Sequence, residues 1–301
     1  MKHIFCNPCS ISEEIPQLIA EEVLGMDNLS LLKERYQQMK EGYNFSYEQW
    51  QELFTEDLKP FREYTDTTGI MMSIKHPKFK TDLEQLGKGA IGVDLPTWFN
   101  MQSSNPRIML IAQDPLRSSK WYGECQDAIL SSPFGLHDAT HRAHAKGGKM
   151  VYELINRLVS AGNGVYLTDA RKYFIYDHKT SDRYANTKKA VYVDILKKEI
   201  ESVKPTLCVC LGNRAGSIMY DVATENPELL ISCVTLPHLS GAARGAIVKR
   251  YPLLLERKAT ATNIAEQYAN EIIGCLTTNL SNYGIYYLLP VDCKFGSRYR
   301  S

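Results

Sequence analysis

Three apolar runs in this chain end on side chains able to do chemistry. RIMLIAQ (107–113) runs into Asp114-Pro115, GVYLT (164–168) ends on Asp169, and LLISCVTLP (229–237) ends on His238-Leu239-Ser240-Gly241. Brought to one rim, two carboxylates and an imidazole offer a single ligand negative charge and a hydrogen-bond donor. A second grouping is His137, His141 and His144, whose spacings of four and three put them on one helical face beside Asp138. Imidazoles so arranged could bind zinc. A third is Cys6-x-x-Cys9, for which no second CxxC or His pair completes a tetrahedral set. Each grouping also has a plain structural explanation. Asp-Pro is a common turn former, a lone histidine commonly satisfies its own surroundings, and the three histidines fit a solvated or phosphate-contacting loop-to-helix segment.

The elements that must position these residues are legible from hydrophobic periodicity. The continuous apolar run at 107–113 reads as a strand buried on both faces, 164–176 begins as a second strand, and 206–213 and 229–237 read as a third and a fourth. Between and after them, KMVYELINRLVSAG (149–162), AVYVDILKKEIESVKP (190–205), the segment from Arg214 and ATNIAEQYANEIIGCL (261–276) carry apolar residues at helical spacing. Alternation of this kind predicts an α/β fold: a three-layer, doubly wound sheet of about four parallel strands flanked by helices. Ligands of such sheets bind beyond the carboxyl ends of the strands. Those ends are Gln113-Asp114-Pro115, Thr168-Asp169, Gly212-Asn213-Arg214 and the segment from Pro237 to Ser240. Leu211-Gly212-Asn213-Arg214-Ala215-Gly216 has two glycines at the wrong spacing for a dinucleotide fingerprint, and no Walker loop follows any strand, so no nucleotide cofactor is expected.

Residues 13–64 read as helical, with Ser46 before Glu48 and Gln49 as a helix start, and 65–105 reads as a mixed stretch that wraps around the strands and helices after it. The expected division is a mainly helical N-terminal extension (1–105), an α/β domain (106–276) and a C-terminal extension (277–301). Charge follows the same division. Residues 1–105 carry 10 basic and 16 acidic side chains, whereas 106–260 carry 22 and 15, so a chain of net charge +1 has an acidic and a basic part. That asymmetry suggests an anionic partner for the basic part, or attraction between the two parts. The 44% hydrophobic and 23% charged composition excludes a disordered or collagen-like chain. Eight cysteines, two of them in the apolar run TLCVCLGN, do not form a disulfide framework. With no apolar leader and no long apolar span, a cytoplasmic protein is expected.

Ala-Gln-Asp-Pro (112–115) after one strand and Leu-Pro-His-Leu-Ser-Gly (236–241) after another resemble the first and second motifs of the uracil-DNA glycosylase superfamily. Ser-Pro-Phe-Gly (132–135) is similar to the loop that supplies its base-stacking Phe. YLTDARK (166–172) is similar to the strand-end motif that reads the base edge, and VKPTLCVCLGNRAG (203–216) to its strand signature. The resemblance covers about 107–275. It implies a monofunctional DNA glycosylase that breaks an N-glycosidic bond without cofactor and acts on DNA.

In that chemistry positive charge develops on the sugar and negative charge on the departing base. The resemblance assigns Asp114 to stabilise the cation and orient water, and His238, assisted by Ser240 and nearby backbone N–H groups, to donate to the leaving base. Phe134 would stack on a base extruded from the duplex. Gln113, Pro115 and Leu116 complete the first motif, with Leu116 where the uracil-specific branch has a Tyr gate. Asp169 stands where that branch has a base-reading Asn. An ionised carboxylate only accepts, so Asp169 prefers a base with an exocyclic amine unless it is protonated. Lys172, Arg214 and Arg244 are expected where phosphates pass, with Arg244 a candidate to fill the vacated stack. Cys6 and Cys9 mimic the opening pair of the iron–sulfur branch, but nothing between 173 and 195 supplies the second pair. Two other functions fit the same residues. One is a non-catalytic member binding a nucleobase or nucleic acid; the other is a metal-dependent hydrolase using the His137/His141/His144 face.

Overall fold

The computed structural model describes residues 4–46, 48–49, 72–74, 91–102, 104–115, 128–175, 189–277 and 287–288. Its strands are β1 (Met72–Ile74), β2 (Ile91–Asp94), β3 (Thr97–Phe99), β4 (Arg107–Ala112), β5 (Ala128–Ser131), β6 (Gly164–Asp169), β7 (Phe174–Ile175), β8 (Leu207–Leu211), β9 (Cys233–Leu236) and β10 (Tyr287–Leu288). They form a six-stranded sheet, β10-β9-β8-β4-β6-β3, and a four-stranded sheet, β1-β5-β2-β7.

The four expected parallel strands are the centre of the larger sheet. β9, β8, β4 and β6 pair in parallel, with Ile108 opposite both Val165 and Leu207, and Val209 opposite Val234. β6 and β8 are buried at every position, as strands covered on both faces must be. The fourth strand starts at Cys233, not at 229, because Pro227–Leu229 form a 3₁₀ turn and Leu230 takes a left-handed backbone with φ 43°. Periodicity did not reveal the edges: β3 pairs antiparallel with β6, and β10 runs parallel to β9. Each contributes only two or three residues, too few to carry a pattern.

Helix Lys146–Ser160 connects β4 to β6 in one direction. Helices Lys189–Val203 and Asn213–Glu225 carry the chain back past β4 to β8 and on to β9. Right-handed crossovers then put the first helix on one face and the other two on the opposite face. Accordingly, Lys146–Ser160 packs against the closing helix Ala261–Thr277, and Lys189–Val203 against Asn213–Glu225. The chain therefore reverses its direction of winding between β4 and β8, which leaves a crevice at their carboxyl ends.

The N-terminal region is helical over Ile11–Ile19 and Leu29–Asn44, and Ser46 caps the next turn as expected: its Oγ accepts from the Gln49 N–H while Gln49 Oε1 accepts from the Ser46 N–H. The rest of the helical reading, 51–64, lies outside the described residues. One buried apolar cluster runs from Phe5 through Trp98 and Leu110 to Ile272. Arg142 fastens the N-terminal helix to the α/β part, donating to the carbonyls of Tyr43 (3.1 Å), Phe45 (2.7 Å) and Leu136 (2.7 Å), with its guanidinium over the Tyr43 ring. A cation on the last carbonyls of a helix is favourable there. Among the described residues no helix is long and apolar enough to cross a membrane.

Candidate active site

The carboxyl ends of β4 and β6 are tied together beyond the sheet by the Ala170 N–H donating to the Ala112 carbonyl (2.9 Å) and the Arg171 N–H donating to the Gln113 carbonyl (3.1 Å). These bonds bring Asp114 and Asp169 to the same rim. On the other side, the Gly212 N–H donates to the Leu236 carbonyl (2.7 Å), and the Tyr268 hydroxyl anchors the Pro237 carbonyl (2.8 Å), which holds the His238 loop. Gly212 has φ +100°, and a Cβ on it would stand 3.3 Å from the His238 Cβ. Glycine therefore meets both the backbone and the space requirement where the imidazole crosses the end of β8.

Between these strand ends lies a cavity of about 700 Å³, within the range of small-ligand sites. Gln113, Asp114, Phe134, Asp169, His238 and Ser240 all line it. Among the described residues, the hydrogen bond and the ion pair of Asp114 fall on one oxygen, Oδ2: the Gln113 amide donates to it at 2.7 Å and the Arg171 guanidinium lies 3.6 Å away. His238 is electrostatically coupled to Asp114, yet burial outweighs that attraction and holds the imidazole below the usual histidine range. The Phe134 ring lies 5.6 Å from the His238 ring, at 30° to it. Phe134 is placed there by a left-handed backbone, φ 58°, inside the Pro133–Gly135 turn. Opposite it, Gly147 leaves the ring room, since a Cβ there would lie 3.3 Å from Phe134 Cδ1 and 3.1 Å from the Leu239 carbonyl oxygen.

Several sequence expectations need correction. Lys172 is not on a surface where phosphates pass. It is buried, ion-paired with Glu199 and donating to the Thr168 hydroxyl at 2.6 Å. Glu199 also accepts from the hydroxyls of Tyr166 and Thr168, each at 3.0 Å, so the loop after β6 is pinned from beneath by a closed polar cluster. The backbone N–H of Ser240 is committed to the His238 carbonyl (2.9 Å), and only its side chain is left to assist at the base. Pro115 is buried, Arg214 and Arg244 are exposed, and none of the three lines the cavity; Leu116 lies outside the described residues.

The three histidines do not share a helical face. The helix between them spans only Ala139–Ala143, with Asp138 capping it through the Thr140 N–H. His137 is buried against the Ser132 hydroxyl at 2.7 Å, and His141 Nδ1 lies 3.3 Å from the Phe134 carbonyl oxygen. Among the described residues no group of three or more His, Cys, Asp or Glu side chains could hold a metal ion. Cys6 is buried, with its thiol pushed up to about 12 by desolvation.

The sequence reading missed one pocket residue of consequence. Asp94, at the end of β2, is buried and lines the same cavity as Asp169. The signal was present: Ile-Gly-Val-Asp-Leu-Pro (91–96) repeats the pattern of a short apolar run ending on an aspartate. Burial, Asp94 and Asp114 together push the Asp169 carboxyl well above its usual value, against the opposing pull of Lys172.

Residues 99–259 match the family model of the uracil DNA glycosylase superfamily. Comparison with curated proteins finds no match. The matched span covers β4, β6, β8 and β9 with their strand ends, and excludes Asp94.

Proposed function

The chain belongs to the uracil-DNA glycosylase superfamily, and we propose that it hydrolyses the N-glycosidic bond of a deaminated or modified base turned out of DNA. The observation that carries this reading is the meeting of Asp114, His238 and Phe134 on one cavity of about 700 Å³. Residues more than a hundred positions apart in the chain meet there, and each faces a different part of an extruded nucleotide.

A base must leave the duplex before its glycosidic bond can be reached. Phe134 takes one face of the extruded base, a contact worth ~1–3 kcal/mol. Asp114, with Oδ2 held by Gln113 and Arg171, stabilises positive charge growing on the sugar and orients a water with its other oxygen. The C–N bond breaks with its electron pair leaving on the base. His238, neutral because it is buried, donates an N–H to the base oxygen on which that charge accumulates. Water oxygen then bonds to the sugar carbon, one water proton passing through Asp114 to the solvent or the departed base. The products are an abasic site and a free base, and water is the only co-substrate.

DNA is the partner this reading requires. The exposed side chains of Arg214 and Arg244 stand at the starts of the helices that follow β8 and the His238 loop, where a strand delivering the base would run. The testing experiment is a panel of oligonucleotides containing uracil, hypoxanthine, mismatches and other altered bases, incubated with the protein and then cleaved with alkali. Strand cleavage at one or more of these bases, lost in Asp114→Ala, supports the assignment. Cleavage unchanged in Asp114→Ala, or cleavage of none, removes it. Binding should also fall steeply with salt, since phosphates release counterions when neutralised.

A further inference from the structure

His238, Leu239, Ser240, Ala242 and Ala243 line the cavity as one stretch of chain, so its placement decides where the imidazole points. The stretch is internally stiff. The Ser240 N–H donates to the His238 carbonyl at 2.9 Å, the Ala243 N–H to the Ser240 carbonyl at 3.1 Å, and helix Arg244–Arg250 follows directly. A stiff segment is aimed by whatever holds its two ends, and here both ends are held by the closing helix Ala261–Thr277. At the near end, the buried Tyr268 donates its hydroxyl to the carbonyl of Pro237, one residue before His238, at 2.8 Å. At the far end, Glu271 accepts from Arg250 Nε at 3.1 Å, from the Tyr251 hydroxyl at 2.6 Å and from Arg250 Nη2. Tyr268 and Glu271 are three residues apart, which sets them on one side of the helix. The rings of Tyr251 and Tyr268, 5.2 Å apart, close the space between the two contacts. Both residues lie beyond position 259, where the family match ends.

We propose that Tyr268 and Glu271 are positioning residues: together they clamp the His238 segment at both ends and so aim the His238 donor at the departing base. The inference rests on the proposed function and adds to it a part of the chain that the family model does not cover. A donor lowers the barrier only if it is already aimed at the place where charge develops. A misplacement of about 1 Å can cost ~10²-fold in rate. Pro237 stands just past the last residue of β9, and a proline has no N–H with which to extend the ladder. The Tyr268 hydroxyl therefore takes over where the strand pairing stops. Burial raises the Tyr268 phenol above its usual range, so the hydroxyl keeps its proton and stays a donor. The Arg250–Glu271 pair limits how far helix Arg244–Arg250 can swing, and with it the turn Gly241–Ala243 that borders the cavity.

Two variants of the full-length protein test the clamp. Tyr268→Phe keeps the ring against Tyr251 and removes only the hydroxyl, and Glu271→Gln keeps the shape and one acceptor and removes the charge. In excision assays kcat should fall about 10- to 100-fold in Tyr268→Phe and about three- to tenfold in Glu271→Gln, with KM within about twofold of wild type in both. A role in stability alone would lower the unfolding temperature and leave the kcat of the folded enzyme where it was. Unchanged kcat in either variant, or a loss carried by KM, overturns the clamp. The second readout is the ring-proton NMR signals of His238, assigned by their disappearance in His238→Gln. The Phe134 ring, 5.6 Å away, shifts these signals, so they report where the imidazole sits. They should move in both variants, further in Tyr268→Phe, while those of the exposed His144 stay in place. Signals that coincide with wild type overturn the clamp. The NMR readout needs no turnover. Moved signals in a protein that excises nothing sink the proposed function and leave the clamp standing, and unmoved signals in a protein that excises altered bases do the reverse.

Discussion

The Phe134 ring lies 5.6 Å from the His238 imidazole and only 30° from parallel to it, so the stacking surface and the hydrogen-bond donor border one slot. A base entering that slot lays a face on Phe134 while its edge meets His238. Phe134→Leu keeps apolar volume and removes the aromatic face. Excision efficiency, read as kcat/KM, should fall about 10- to 100-fold, matching the ~1–3 kcal/mol of base–aromatic stacking. Most of the loss should be in KM, since stacking acts on bound base and transition state alike. A variant indistinguishable from wild type removes Phe134 from the site.

Asp114 has one oxygen already occupied by the Gln113 amide and near the Arg171 guanidinium. Asp114→Asn preserves the shape of the group and removes the charge that faces the sugar. Its kcat should drop about 10²- to 10⁴-fold, the usual contribution of a positioned acid–base group. Thermal unfolding should move less than kcat, because asparagine keeps the shape of the group and an oxygen to accept from the Gln113 amide, and loses only the attraction to Arg171 at 3.6 Å. Single-turnover excision assays alongside unfolding curves check both halves of this expectation.

How much of this arrangement was legible in the sequence depends on the length of the pattern that carried it. The four central strands and the helices between them are long, apolar and periodic, and their ends correctly placed Asp114, Asp169 and His238 on one rim. Lys172 was misread because its neighbours gave no hint of Glu199, which is 27 residues further along the chain and meets it only when helix Lys189–Val203 packs beneath β6. The histidines do form a loop-to-helix segment at the pocket, but the alternative of one shared helical face fails, because the turn at Pro133–Gly135 and the Asp138 cap start the helix only after His137. Asp94 was missed because β2 has four residues and belongs to the other sheet, beyond the reach of a periodicity argument.

Protonation of His238 gives a signed prediction. Burial lowers its pKa and the Asp114 charge opposes that shift. The unfolded chain therefore takes up this proton before the folded one does as the pH falls. Stability linked to this residue is complete above the ordinary histidine value of ~6.5 and is lost as the pH drops through that value toward the folded one. Excision should accordingly stay flat from neutral pH down past the ordinary histidine range, if the neutral ring is the donor. In Asp114→Asn the opposing attraction is gone and the His238 pKa should fall further. Following the imidazole ring protons by NMR through an acid titration checks the sign; an upward movement in Asp114→Asn contradicts it.

The same burial that hides Lys172 makes its pairing costly to break. Lys172 and Glu199 are 1% and 0% exposed, and removing one member strands the other's charge in the core. Such losses run to about 3–5 kcal/mol. The two members are not equivalent, because Glu199 also accepts from Tyr166 and Thr168. Glu199→Ala strands an ammonium and frees two buried hydroxyls at once, so it should reach that range. Lys172→Met leaves the carboxylate with both hydroxyl donors and should cost less. It also removes the cation that opposes the raised pKa of Asp169, so the Asp169 carboxyl should become harder still to ionise. Urea unfolding midpoints of the two variants give the order of stabilities, with Glu199→Ala expected below Lys172→Met. The reverse order would mean that the hydroxyl bonds to Glu199 contribute little, and that charge alone holds the loop behind Asp169.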